Sequence, residues 1–138
     1  MSHFKIIASV IALLAIDIVT KYLFFNLELL PGIFEATFNT GISFSISINQ
    51  VMVQIITIIF IGVLARLTNK KTIHPRIGIL LIAGALGNLV DRILLGGVRD
   101  FIWLGFGPVF NIADVCITLG ACYLVIFEFI GNRKKHNK

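Results

Sequence analysis

The chain reads as an all-α membrane protein, a bundle of four transmembrane helices with a small β element on its outer side. Three observations carry that reading. Apolar runs recur at close to bilayer length, basic residues gather at matching ends of those runs, and a stretch of strict apolar/polar alternation lies between the first two. Of 138 residues, 57% are hydrophobic and 14% charged, and the mean hydropathy is +0.96, far from the soluble average. A net charge of +5 would suit nucleic acid if it formed one exposed face. The lysines and arginines instead flank apolar runs, so they are topology signals and imply no nucleic-acid partner.

A helix needs about 20 residues to cross a ~30 Å hydrocarbon core. Four segments qualify, near residues 6–25, 51–67, 77–95 and 112–130, the second being the shortest. The first follows Lys5, as a secretory signal would. It is long for a signal core, carries Asp17 and Lys21, and leads to no small-x-small cleavage site, so it is read as a span. Nine of the 12 basic residues lie before span one, between spans two and three, or after span four; only Lys21, Arg92 and Arg99 lie elsewhere. The positive-inside rule then predicts cytoplasmic termini and two outer connections, residues 26–50 and 96–110.

The first outer connection holds Pro31-Gly32, a turn signal, and then Ile42-Ser43-Phe44-Ser45-Ile46-Ser47-Ile48. Period-2 alternation predicts a strand in a small amphipathic sheet on the membrane surface, with serines toward water. The second connection is Gly-rich and carries Trp103 and Phe106, suited to an interfacial loop with aromatic anchors, where a short surface helix is one option.

Polar residues in such a chain are the functional candidates. Moving an Asp to the bilayer centre costs roughly 2.5–3.5 kcal/mol, so carboxylates kept beside spans have a use. Asp100 and Asp114 lie on the outer side, at either end of the second connection. Two carboxylates that share one proton supply an acid and a base together, as an aspartyl peptidase requires. Asp17 and Lys21, four apart on one helix, can pair and reduce each other's cost. Asn88 and Arg92 share a face in the same way, with Asp91 adjacent. Gly84 and Gly87 read as points of close helix approach. Cys116 and Cys122, six apart on one helix, cannot bond to each other there and read as small packing residues. His3, His74 and His136 show no metal-ligand spacing, and no metal or cofactor is implied. Ser43, Ser45 and Ser47, with Lys21 the only nearby base, leave a Ser-Lys peptidase as a minor reading. A small proton-coupled transporter or channel subunit is the alternative from a different class.

Five ordered blocks carry a resemblance. Asp17-Ile18-Val19-Thr20-Lys21, Phe38-Asn39-Thr40-Gly41, Gly87-Asn88-Leu89-Val90-Asp91-Arg92, Gly97-Val98-Arg99-Asp100-Phe101-Ile102 and Phe110-Asn111-Ile112-Ala113-Asp114 resemble the motifs of bacterial lipoprotein signal peptidase, also called signal peptidase II. The resemblance implies an aspartic endopeptidase of the inner membrane. Such an enzyme removes the signal peptide of diacylglyceryl-modified prolipoproteins on the N-terminal side of the lipid-modified cysteine, among membrane lipids and without a cofactor; a closed bundle of this size is expected to work as a monomer. By motif, Asp100 and Asp114 would be the catalytic dyad, and Asp17, Lys21, Asn39, Gly41, Asn88, Asp91, Arg92 and Asn111 would line or support the site. The family fold has four membrane helices and an extracytoplasmic β-cradle between the first and second, in accord with the alternation at residues 42–48. Which aspartate serves as base belongs to the coupled pair and is left open by sequence.

Overall fold

A computed structural model describes residues 1–30, 34–41 and 49–136, with side chains described to residue 126. Helix α1, His3–Lys21, opens at Ser2, whose hydroxyl accepts from the Lys5 amide at 3.4 Å. It runs on into a π-helical turn over Tyr22–Asn26, a distortion often found near functional sites. Helix α2, Gln50–Asn69, is capped by Asn49, whose side chain accepts from the Val51 amide at 2.9 Å. Helix α3, Pro75–Leu95, has proline in its first turn and stops at Gly96, which adopts φ +78°. Glycine enters that left-handed region without the penalty a Cβ would bring. Helix α4 spans Ile112–His136. Helices α1, α2 and α3 are each long and apolar enough to cross a membrane, and α4 is apolar from Ile112 to Ile126 within its 25 residues. A helix lies over each of the four apolar segments, and among the described residues three of the four have the length and hydropathy to span.

α3 is the central helix. In its most apolar stretch 61% of residues are buried, against 11% for α1 and for α2, and it packs on all three other helices. Leu64, Ile73, Ile77, Leu81 and Ile82 form a core toward the α2–α3 turn, with Val10 and Ile117 against it. The outer faces of α1 and α2 leave Ile7, Ile11, Ile55 and Ile59 more than half exposed, the surface expected against lipid tails. Close approach of α3 to α4 depends on Gly84. A Cβ there would lie 2.5 Å from the Ala113 carbonyl oxygen and 2.7 Å from Ile117 Cγ1, and a backbone atom cannot swing aside. Gly84→Ala should therefore lower stability by about 1–3 kcal/mol. Gly62→Ala, where a Cβ meets nothing within 4 Å, should leave it unchanged or slightly raised. Thermal unfolding in detergent compares the two, and equal midpoints would refute the close approach.

The small sheet draws one strand from each outer connection. Strand β1, Thr37–Asn39, pairs antiparallel with β2, Val98–Asp100, in the register Thr37 to Asp100, Phe38 to Arg99 and Asn39 to Val98. The β element thus does follow α1, but its partner strand comes from the Gly-rich connection that sequence patterning assigned to a loop. The predicted turn at Pro31-Gly32 and strand at residues 42–48 lie outside the described residues. No surface helix forms between residues 101 and 111. Ile102 and Phe110 pair as an antiparallel bridge, and Gly105 and Gly107 turn the loop between them at φ +85° and +75°. Behind β2, Phe101 is 1% exposed, with its ring centroid 5.5 Å from that of Phe24 and 5.9 Å from that of Phe34. These rings hold one side of the β2 backbone and leave neighbouring Asp100 to face the bundle.

Candidate active site

The site grows from the first turn of α4. Asn111 precedes that helix, and its side-chain oxygen accepts from the Asp114 amide at 3.0 Å, while Asp114 Oδ2 accepts from the Asn111 amide at 3.2 Å. This reciprocal pair is a capping box with Asn and Asp in the roles of the usual Ser/Thr and Glu. It fixes the Asp114 rotamer at the positive end of the helix dipole, where a carboxylate is favoured. The same asparagine reaches across to β2, with Asn111 Nδ2 donating to Asp100 Oδ1 at 2.6 Å and to Asn88 Oδ1 at 3.1 Å. Asn88, on α3, donates through Nδ2 to Asp114 Oδ1 at 2.8 Å. Two amides therefore link the two carboxylates: Asn111, Asn88 and Asp114 close a hydrogen-bonded ring, and Asp100 is tied to it through Asn111. On the β1 side, Asn39 Nδ2 donates to Asp100 Oδ2 at 3.1 Å, and Asn39 Oδ1 accepts from the Gly41 amide at 3.0 Å. Both Asp100 oxygens are thus held by amide donors.

Beneath the ring lies a buried charge network. Lys21 is 0% exposed. Its ammonium pairs with Asp17 at 2.7 Å and with Asp91 at 3.4 Å, and donates to Asn88 Oδ1 and to the Gly87 carbonyl, both at 3.3 Å. Asp17 Oδ1 accepts from the Ala113 amide at 2.8 Å, so a carboxylate of α1 caps the start of α4. Asp91 accepts from the Arg99 guanidinium at 2.7 Å and from its backbone amide at 3.0 Å. Arg99 also donates to Asn26 Oδ1 at 2.7 Å. Arg92 turns the other way, donating to the Gly41 carbonyl at 3.3 Å. Its Nε is buried and has no hydrogen-bond partner among the described residues, which leaves a spare donor.

All ten residues singled out by sequence converge on this region. Asp100, Asp114, Asn39, Asn88, Asn111, Arg92 and Gly41 surround the ring; Asp17, Lys21 and Asp91 lie below it. Sequence reasoning missed Arg99, which counted only as an outer basic residue, and Gln54, whose side chain donates to the Arg92 carbonyl at 3.0 Å. The signal for Gln54 was present, since it is a lone amide in an apolar run. Gln50 also donates to the Thr40 carbonyl, tying α2 to the chain beside β1.

The two carboxylates open onto a cavity of about 620 Å³, whose polar part is Asn39, Asn88, Arg92, Asp100 and Asp114 and whose apolar part includes Val98, Phe110, Val115 and Leu119. Asp100 is 2% exposed, whereas Asp114 is half-buried. Burial first, and then the charge of Asp114, push the Asp100 carboxyl up to about 6, against the pull of the Asn39 and Asn111 amides. Desolvation and a like charge are the two effects that make a carboxylic acid hold its proton.

The fold is that of a helical membrane protein carrying two amide-linked carboxylates, and its class is the aspartic peptidases. The chain belongs to the signal peptidase (SPase) II family, whose model matches residues 9–130. It is 31% identical to the lipoprotein signal peptidase of Symbiobacterium thermophilum over 94% of this chain and 97% of that one. It is 35% identical to that of Ectopseudomonas mendocina over 90% and 86%, and 40% identical to that of Chlorobium phaeobacteroides over 66% and 68%. A bacterial membrane enzyme solved by the in meso method at 2.3 Å superposes with a TM-score of 0.78 at 29% identity, covering 96% of this chain and 92% of that one.

Proposed function

We propose that the chain removes signal peptides from diacylglyceryl-modified prolipoproteins, cutting on the N-terminal side of the modified cysteine, with Asp100 and Asp114 as the catalytic pair. The observation that carries this reading is the ring through Asn111 and Asn88 that presents both carboxylates to one cavity. Asp100, the more deeply buried, keeps the proton and donates it toward the oxygen of the scissile carbonyl. Asp114, the less buried of the two, takes a proton from the water that attacks the carbonyl carbon. When the C–N bond breaks, that proton passes to the leaving amine, the carbonyl reforms, and Asp100 recovers its own. Asn39, Asn88 and Asn111 hold the pair, Asp17, Lys21 and Asp91 support those amides from below, and Arg92 holds the Gly41 carbonyl beside the cavity.

The apolar wall formed by Val115 and Leu119 suits a signal-peptide helix arriving from the bilayer. Acyl chains on the substrate contribute about 0.8 kcal/mol per buried CH₂ and keep the cleavage site at the membrane surface. Lys21 Nζ is committed to Asp17 and Asp91, which argues against its acting as the base of a Ser-Lys pair. Purified protein in detergent, with no gradient, should cleave a diacylglyceryl-modified precursor at least about 100-fold faster than the unmodified one. Its product should begin at the modified cysteine by mass spectrometry. The rate should be linear in enzyme concentration, because every site residue comes from one chain. Equal rates on the two precursors would sink the substrate assignment, and a second-order dependence would sink the monomer.

The charge asymmetry supports an inner-membrane orientation with cytoplasmic termini and the site on the extracytoplasmic side. Single cysteines at Leu104 and Asn69, in a background lacking Cys116 and Cys122, should react from opposite sides. An impermeant reagent outside intact spheroplasts should label position 104 only; labelling of 69 alone would invert the topology.

A further inference from the structure

A second cavity, of about 590 Å³, opens at the other end of the bundle, where α1 begins, α2 ends and α3 begins. Its wall includes Lys71, Arg76 and Asn69 together with Met1, Ile6 and Ile73, and among the described residues no Asp or Glu lines it. Among the described residues neither Lys71 nor Arg76 takes part in an ion pair, and both are exposed. With about 1.5 Å of rise per residue, the 13-residue step from Pro75 to Asn88 along α3 puts this cavity roughly 20 Å from the carboxylate ring. It is therefore separate from the candidate active site.

The depth of the cavity says what kind of molecule meets it. Three helix ends surround it, so it lies where the hydrocarbon core gives way to headgroups. His3 lines the cavity, and Ile7 and Ile11, each 59% exposed, continue from His3 up the same stripe of α1 toward the middle of the bilayer. A basic recess that opens onto an apolar stripe matches a molecule with an anionic head and hydrocarbon tails. We propose that this cavity is a binding site for an anionic phospholipid, with its phosphate between Lys71 and Arg76 and an acyl chain along Ile7 and Ile11. A soluble anion would make no use of Met1, Ile6 and Ile73. A zwitterionic lipid would bring a positive group into a recess with no carboxylate among its described residues to receive it.

The test uses the full chain, delipidated in detergent and mixed with equal amounts of phosphatidylglycerol and phosphatidylethanolamine, with bound lipid read by native mass spectrometry. The wild type should retain phosphatidylglycerol in preference. Lys71→Ala with Arg76→Ala should reduce that preference by about 10- to 30-fold, as expected for the loss of two surface basic groups. Lys5→Ala with Arg66→Ala removes equal charge at the same end but outside the cavity, and should leave the preference intact. Excess inorganic phosphate should not displace the lipid. Absence of preference in the wild type, an equal loss in the control pair, or displacement by phosphate would each overturn the assignment. Retention is read without any cleavage step, so the result stands apart from the fate of the proposed peptidase mechanism.

Discussion

Asp100→Asn and Asp114→Asn should each reduce cleavage by at least about 10³-fold while the protein stays inserted, and the double variant should be hardly worse than either single. The ring explains both halves of that result. Each carboxylate is one end of a single hydrogen-bonded unit, so losing either removes proton exchange as a whole. The apolar wall of Val98, Phe110, Val115 and Leu119 is untouched, so affinity for a lipid-modified precursor should survive where turnover does not. Substantial turnover by either single variant would end the dyad assignment. The pH dependence follows with its sign. In the free enzyme kcat/KM should fall on the alkaline side from about 6 as Asp100 loses its proton. Stability shares the same cause. A folded value of about 6 against an ordinary 3.8 means that the folded state holds a proton the unfolded chain has released. The stability this confers is complete below about pH 4 and is lost as pH rises through 6, by about 3 kcal/mol as an upper bound. Asp100→Asn should therefore gain on the wild type as pH rises from 4 to 7, less a constant loss from the missing acceptor. A difference flat in pH would return Asp100 to an ordinary carboxylate.

Lys21→Met should cost about 3–5 kcal/mol, the largest stability loss expected from one side chain here. It strands Asp17, 1% exposed, takes one of two cations from Asp91, which keeps Arg99, and removes a donor to Asn88. Asp17→Asn alone should be milder, since Lys21 keeps Asp91 and an amide oxygen still faces the Ala113 amide. Combining Asp17→Asn with Lys21→Met should recover part of the loss, because the carboxylate left without a cation is then gone and Asp91 keeps Arg99. Unfolding midpoints of the three variants in detergent decide it. A Lys21→Met protein as stable as the wild type would mean that the network does not hold the bundle.

The legible part of this molecule was the part with a period. Asp17 and Lys21 repeat at helical spacing and meet at 2.7 Å, and helices lie over the four apolar runs. Asp100 and Asp114 stood out because polar residues are costly in such a chain. What stayed hidden depends on chain reversals. Asp91 meets Arg99 only because Gly96 turns the backbone between them, and nothing in an eight-residue separation announces that contact. Strands of three residues, as at Thr37–Asn39 and Val98–Asp100, contain too few alternations to be read, and their register is fixed by partners some 60 residues away. Asn111 was recognised by motif, but its service to both carboxylates at once is a property of assembled helices.

Because the capping box of α4 is also the link between the two carboxylates, the final helix start and the finished site are one event. A nascent chain that has threaded α1, α2 and α3 into the bilayer already carries Asp17, Lys21, Asn39, Asn88 and Asp91, yet its acidic pair does not exist. Asp100 leaves the ribosome without Asn111 to hold it, and Asp114 follows only with the last span. On the proposed mechanism, competence to cleave thus waits for α4 to join the bundle, and a copy with only α1, α2 and α3 inserted should have no means of cutting a precursor.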